Sequence, residues 1–225
     1  MNDLCIKISQ VNKTVLTAEN SLNILSDISL NVSVHEAIVI AGASGSGKTS
    51  LLSIMAGLDH ADSGQVELLG QDLSQANEEQ RAAVRKGKVG FIFQNFQLIQ
   101  GATALENIAL PLQLLGYENA IEQALETLEE VGLSTKKNTM VDLLSGGEQQ
   151  RVSIARAFAV KPKILFADEP TGNLDSKNGQ QIADLMFQLR DQLGTALVLV
   201  THEKSLSKRG DRLITMSAGK IINEE

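Results

Sequence analysis

Residues 37–41 (Ala-Ile-Val-Ile-Ala), 163–167 (Lys-Ile-Leu-Phe-Ala) and 196–201 (Ala-Leu-Val-Leu-Val-Thr) are apolar almost without a break. A strand with one face in water alternates, whereas a strand covered on both faces need not. These three segments therefore predict parallel strands inside an α/β core. Residues 88–93 predict a further buried strand. Residues 6–8, 28–34 and 66–69 alternate or nearly so, which predicts an antiparallel sheet beside the parallel one. Leu51, Leu52, Met55 and Leu58 fall at helical spacing, with Gly57 near the end of that helix. From about residue 96 to residue 158 the pattern turns helical. There Ile121, Leu125, Leu128 and Val131 predict a core-facing stripe opposite a row of glutamates. The organisation expected is one domain over 1–225, with helices inserted at approximately 96–158 and a hairpin turning at Ser217-Ala-Gly219.

Composition narrows the function. A chain of 225 residues with 43% apolar content suits a folded α/β domain. No apolar run approaches the roughly 18 residues that span a bilayer. The first residues, Met-Asn-Asp-Leu-Cys-Ile-Lys, lack the basic-then-apolar order of a secretory signal. The lone Cys5 cannot form an internal disulfide, which fits a reducing compartment. A formal charge of −7 argues against nucleic acid as the main partner, because phosphate binding needs a basic surface. The expectation is a cytosolic protein that needs a partner if it is to work at a membrane.

Two motifs carry phosphate chemistry. Gly42-Ala43-Ser44-Gly45-Ser46-Gly47-Lys48-Thr49, followed by Ser50, matches the phosphate-loop (Walker A) pattern without deviation. Glycines let such a loop wrap phosphate oxygens with backbone N–H groups, and the following helix adds its positive N-terminal end. Lys48 would meet the β- and γ-phosphates, and the Thr49 hydroxyl would ligate Mg²⁺. The second motif is Asp168-Glu169 behind an apolar strand. Ligands of parallel sheets bind at that carboxyl edge, so Asp168 fits a hydrated Mg²⁺ partner, through water, and Glu169 a general base. Taken alone, the pair also reads as a helix cap before Pro170. His35 and His60 lack such context and read as surface residues.

The octet Leu144-Ser-Gly-Gly-Glu-Gln-Gln-Arg151 lies between these motifs. In that order the three resemble the ATP-binding-cassette (ABC) ATPases over nearly the whole chain. The resemblance implies a P-loop NTPase core of ABC type: a parallel sheet, a flanking antiparallel β subdomain and an inserted helical subdomain. It also implies ATP hydrolysis with Mg²⁺ by a homodimer, in which Ser145, Gly146, Gly147 and Glu148 of one subunit close on a nucleotide held by the other. By the same resemblance Gln94 is the Q-loop glutamine near Mg²⁺ and the γ-phosphate, and His202 the switch histidine. Asp175 belongs to the D-loop at the dimer interface, where an Asx-type helix cap is a second reading. Family members commonly stack adenine on an aromatic ring near residue 15. Val15 stands there in this chain, which has a single tyrosine, Tyr117, and no tryptophan.

Thr171-Gly-Asn-Leu-Asp175, Ala104-Leu-Glu-Asn-Ile108 and Ala167-Asp-Glu-Pro170 resemble the lipoprotein-releasing and macrolide-efflux (LolD/MacB) branch, with YbbA-type proteins nearest in appearance. That implies an ATPase subunit on the cytoplasmic face of the membrane, bound to a separate permease with a large extracytoplasmic domain. Two alternatives stay open. One is a regulatory ABC ATPase controlling a cell-envelope or cell-division complex without transport. The other is a soluble ATPase acting on DNA or ribosomes, which would usually carry long coiled-coil insertions or a second cassette. Of Phe96, Leu98, Ile99 and the apolar run 109–115, about half are expected in the core and the rest to offer an exposed floor for a permease helix, with Leu98 or Leu112, whichever is exposed, as its test position.

Overall fold

A computed structural model of the protein describes residues 4–16 and 21–225; the initial Met-Asn-Asp of the leader reading lies outside the described residues. In chain order the elements begin with strands β1 (Leu4–Leu16), β2 (Ser21–Ser33) and β3 (Ala37–Gly42), then helix α1 (Lys48–Met55). Strands β4 (Ser63–Leu68) and β5 (Gln71–Asp72), helix α2 (Glu78–Arg85) and strand β6 (Val89–Phe93) follow. Helices α3 (Ala104–Leu114), α4 (Ala120–Glu130) and α5 (Gly146–Ala159) come next, then β7 (Ile164–Asp168) and α6 (Ser176–Leu193). The chain closes with β8 (Ala196–Val200), α7 (Lys204–Ser207), β9 (Arg212–Ser217) and β10 (Lys220–Glu224). These elements fall into two compact units, residues 1–89 with 196–225, and residues 90–195.

In the first unit β3 lies between β8 and β9, parallel to both, and β10 closes the edge antiparallel to β9. Ile38, Val39, Ile40 and Leu197 to Val200 are fully buried, which is why these segments never alternate. The second sheet runs β2-β1-β4-β5 and is antiparallel throughout. Its core face carries Ile6, Ile8, Ile28, Leu30, Val66 and Leu68 at alternate positions, as the sequence predicts, and Val11 beyond a register shift in β1; the strands are longer than the alternation alone marks. The hairpin at Ser217-Ala-Gly219 is present, with Ala218 and Gly219 both at positive φ.

Helix α1 is shorter than its apolar spacing suggests. Leu51, Leu52 and Met55 are buried, but Leu58 is exposed beyond Gly57, whose φ of 67° ends the helix. The far end of α1 is held from two directions. The Arg85 guanidinium donates to the Gly57 carbonyl and pairs with Glu78 at 2.7 Å. The Lys13 ammonium, almost buried, donates to Asp59 Oδ1 at 3.1 Å and to the His60 carbonyl at 2.8 Å. Asp62 accepts from the Thr14 amide at 2.6 Å. His35 and His60 are exposed, as expected.

The second unit contains β6 beside β7 and the helices α3 to α6. Phe166, fully buried in β7, stacks on Phe91 with ring centroids 5.7 Å apart. Only Gly90 and Ile92 of β6 are buried, so that strand alternates instead of being covered on both sides. Helix α4 shows a phase correction. Leu128 and Val131 are core, but Ile121 is 45% exposed and Ala120, Ala124 and Thr127 face inward instead. Close approach to α3 and α5 favours those small side chains over the bulky one. Leu98 and Leu112 are likewise buried, whereas Leu114 is 71% exposed. Helix α2 was not foreseen, although Asn77 and Gln80 form a capping box that marks its start. No helix among the described residues is long and apolar enough to cross a membrane.

Asp59 supplies a pH test of the Lys13 contact. Burial pushes its carboxyl upward, but hydrogen bonds from the His60 amide and from Lys13, with the Lys13 charge, more than offset this and hold it below its ordinary value of 3.8. A carboxyl depressed in the folded state stabilises the fold above that value and loses the contribution as pH falls through the folded pKa. Urea midpoints of Asp59→Asn should therefore be lower than wild type at neutral pH, and should decline less on acidification below pH 3.8.

Candidate functional site

The phosphate loop begins where β3 runs out at Gly42. A Cβ on Gly42 would lie 2.3 Å from the Met216 carbonyl oxygen, and one on Gly47 2.7 Å from the Ile24 carbonyl oxygen. Gly47 also sits at φ 97°, so both the space and the backbone conformation require glycine there. Ala43, Ser44, Gly45 and Thr49 are exposed along the loop, and Ser50 is half-buried. Lys48, only 6% exposed, extends its ammonium across the loop to the carbonyls of Gly42 and Ala43, each at 2.9 Å. The Ser46 hydroxyl is buried with no hydrogen-bond partner in the protein. A buried polar atom of this kind costs free energy unless a ligand or water satisfies it. The loop thus has the donors and open backbone that a polyphosphate needs.

Sequence reasoning missed the support behind this loop. Gly219, at the tip of the β9–β10 hairpin, donates its N–H to the Ser46 carbonyl at 3.1 Å, and its own carbonyl accepts from the Ser26 amide at 2.9 Å. A Cβ at Gly219 would stand 2.6 Å from the Ile24 oxygen. The signal was present in the Ser-Ala-Gly turn, but nothing in a turn says what it grips. Val15 pairs across the strands with Leu22, two residues before the Ile24 that underlies Gly47, and is 44% exposed. His202 is exposed just beyond β8. All these residues belong to the first unit.

In the second unit Asp168 is the last residue of β7, and both it and Glu169 are half-buried. Glu169 holds φ 45°, a left-handed conformation that costs a non-glycine residue on the order of 1 kcal/mol. Its carbonyl accepts from the Gly172 amide at 3.0 Å, and the Leu174 amide donates to Thr171 at 3.0 Å, giving two successive turns. Gln94 follows β6 and is fixed on both sides. The Asn173 amide nitrogen donates to the Gln94 carbonyl at 2.9 Å and to Asn95 Oδ1 at 3.1 Å. Phe96 and Gln97, both at positive φ, are held from α5: Arg156 donates to their two carbonyls at 3.1 and 2.7 Å, and Ser153 to that of Phe96 at 3.2 Å. Burial pushes the Arg156 guanidinium below its usual pKa, and the two carbonyls give the desolvated charge hydrogen-bond partners.

Ser145 caps α5. Its hydroxyl donates to Glu148 Oε2 at 2.8 Å, and the same carboxylate oxygen accepts the Ser145 amide at 2.9 Å. The Ser145 amide, then its hydroxyl, hold the Glu148 carboxyl below its ordinary pKa, with the Lys136 charge adding to this. Such a cap is worth about 1 kcal/mol. Asp175 caps α6 by accepting from the Lys177 and Asn178 amides, each at 3.1 Å, so its helix-capping reading holds. Ser145, Gly146, Gly147 and Glu148 share one open groove of about 350 Å³ with Asn173 and Asp175. The motif octet and the segment after β7 therefore meet on one surface, with two helix N-termini opening onto it.

A family model described as ABC transporter matches residues 25–172. This chain belongs to the ABC transporter family. The ABC transporter ATP-binding protein YbbA of Escherichia coli K12 is 46% identical over 221 residues, covering 97% of each chain. The lipoprotein-releasing system ATP-binding protein LolD of Shewanella oneidensis is 44% identical, over 98% of this chain and 97% of its own. Among solved structures, the dimeric ATP-binding cassette MJ0796 in a post-hydrolysis state with ADP and Pi matches with a TM-score of 0.90 at 37% identity, over 98% of this chain and 97% of that one. The chain is thus an ABC ATPase that binds and hydrolyses ATP, and its relatives lie in the LolD/MacB branch.

Within this ABC ATPase the grip of Gly219 on the phosphate loop can be tested directly. Gly219→Val should lower stability by about 1–3 kcal/mol in urea unfolding, through strain at positive φ. It should also weaken ATP binding in equilibrium titration, because a Cβ 2.6 Å from the Ile24 oxygen would displace the hairpin tip whose N–H holds the Ser46 carbonyl.

Proposed function

We propose that this ABC ATPase works as a homodimer on a separate integral-membrane permease, at the cytoplasmic face of the membrane. The observation that carries the dimer is the open groove in which Ser145 to Glu148 lie beside Asn173 and Asp175. Donors ringed on an exposed surface suit a ligand presented by another molecule, and MJ0796, the matching cassette, is described as dimeric. In this reading Gly42 to Ser50 and Lys48 of one subunit hold the polyphosphate, Val15 touches adenine, and Ser145 and Gly147 of the partner subunit approach the γ-phosphate. Gln94 and His202 contact the γ-phosphate region, and Asp175 crosses the interface. The names of the relatives are those of transport components, which supports the transporter reading over a purely regulatory one.

On the family resemblance Thr49 and Gln94, with Asp168 through water, would hold Mg²⁺: Thr49 and Gln94 are exposed and Asp168 is half-buried, and phosphate oxygens and waters would complete the set usual for that ion. The ion would supply neutralisation of phosphate charge. Glu169 receives a proton from the water whose oxygen bonds to the γ-phosphorus, while the bond to the β–γ bridging oxygen breaks and ADP leaves. Lys48 steadies the transferring charge, and the buried Ser46 hydroxyl offers one more donor to the phosphate chain.

Glu169→Gln should keep ATP binding and slow hydrolysis by on the order of a hundredfold or more, and the variant should elute as a dimer only with ATP. Unchanged turnover would remove Glu169 from the role. Ser145→Arg and Lys48→Ala should each be inactive alone. Mixed, they form dimers with one intact composite site, so partial recovery of phosphate release is expected. A site built within one chain predicts none.

The exposed apolar residues near Gln94 and on α3 are Ile99, Leu110 and Leu114, rather than Leu98 and Leu112. An amphipathic permease helix would cover them. Leu114→Glu should leave basal ATPase nearly unchanged and abolish co-purification of the integral partner from membranes in mild detergent. Retained co-purification would place docking elsewhere.

A further inference from the structure

The Asn173 side chain is exposed, yet it makes three polar contacts with the chain after β6. Its Nδ2 donates to the Gln94 carbonyl at 2.9 Å and to Asn95 Oδ1 at 3.1 Å, and its Oδ1 accepts from Gln94 Nε2 at 3.5 Å. Asn173 itself stands within the successive turns that run from Glu169 to the α6 cap at Asp175. The packing is tight there as well: a Cβ at Gly172 would lie 2.9 Å from Gln94 Nε2 and 3.4 Å from the Glu169 carbonyl oxygen. The far side of the same loop is held independently by Arg156 and Ser153 on the carbonyls of Phe96 and Gln97.

We infer that Asn173 is a positioning residue which registers Gln94 against the turn carrying Glu169. This rests on the proposed place of Gln94 at the γ-phosphate. One side-chain amide fixes the glutamine backbone relative to the base, while the Arg156 contacts prevent the loop from compensating by sliding. Because Asn173 leads directly into Asp175, a displacement of that segment is carried to Gln94 through the same amide. The contacts of Asn173 fall on Gln94 and Asn95, outside the phosphate-loop motif. Its loss should therefore mis-set the chemical step and spare nucleotide binding.

The test measures phosphate release against ATP concentration for the full chain, wild type, Asn173→Ala, Gln94→Ala and the double variant. Asn173→Ala should lower kcat about tenfold with KM within about twofold, since small misplacements of a reacting constellation cost factors of this size. Its thermal midpoint should stay within about 2 °C of wild type, because an exposed amide contributes little to folding. The double variant should be no slower than Gln94→Ala alone, as expected if Asn173 acts through Gln94. Wild-type kcat in Asn173→Ala overturns the inference, and so does a double variant in which the two losses multiply. If Gln94→Ala keeps wild-type kcat, the reading of Gln94 fails on its own. Any loss in Asn173→Ala would then be by another route.

Discussion

The first unit is organised around a backbone that has no room for side chains. Gly42 lies against the Met216 carbonyl, and Gly47 and Gly219 lie against that of Ile24, each too close for a Cβ. These approaches bring β2, β3 and the β9–β10 hairpin onto one loop, whose concave side is left to N–H groups, Ser46 and Lys48. The parallel core gives the loop a fixed start at Gly42, and the side chains of Lys13 and Arg85 hold the far end of α1. Disturbing any of these contacts would act on phosphate binding without touching phosphate.

The second unit solves a different problem. Its residues of interest stand at element ends and turns: Gln94 after β6, Asp168 at the end of β7 and Glu169 beyond it, Ser145 before α5, Asp175 before α6. Such positions lack the ladder of a strand or the repeat of a helix to hold them, so side chains do it instead. Asn107, fully buried in α3, shows the pattern: its amide bonds both the N–H and the carbonyl of Ile99 and the carbonyl of Thr103. Arg156 and Asn173 serve the preceding loop in the same way.

What the sequence made legible follows from that contrast. Continuous apolar runs at 37–41 and 196–201 could only be covered strands, and the phosphate-loop glycines are a local pattern that survives without knowledge of the fold. The phase of α4 was misread because bulky Ile121 outweighed Ala120 and Ala124 in an apolar count, whereas helix contacts select for small size. Which of the apolar residues after Gln94 and on α3 face outward is not legible, because apolar content does not state a direction: Leu98 and Leu112 are core, and Ile99 and Leu114 are exposed. The contacts of Gly219, Arg156 and Asn173 were invisible, since each joins a side chain or turn to a backbone group far along the chain, and hydrophobic periodicity does not encode backbone carbonyls.

The capping box at Ser145 also sets the terms on which that serine can meet an anion. Its single proton already points to Glu148 Oε2. A phosphate oxygen taking that proton gains no new bond for the serine; it exchanges one acceptor for another, and the carboxylate is left with the Ser145 amide and Lys136. Exchanges of this kind are close to balanced in free energy. In the proposed site the contact would therefore be a reversible exchange of partners, as easily undone as made, which would suit a surface that releases its ligand once per cycle.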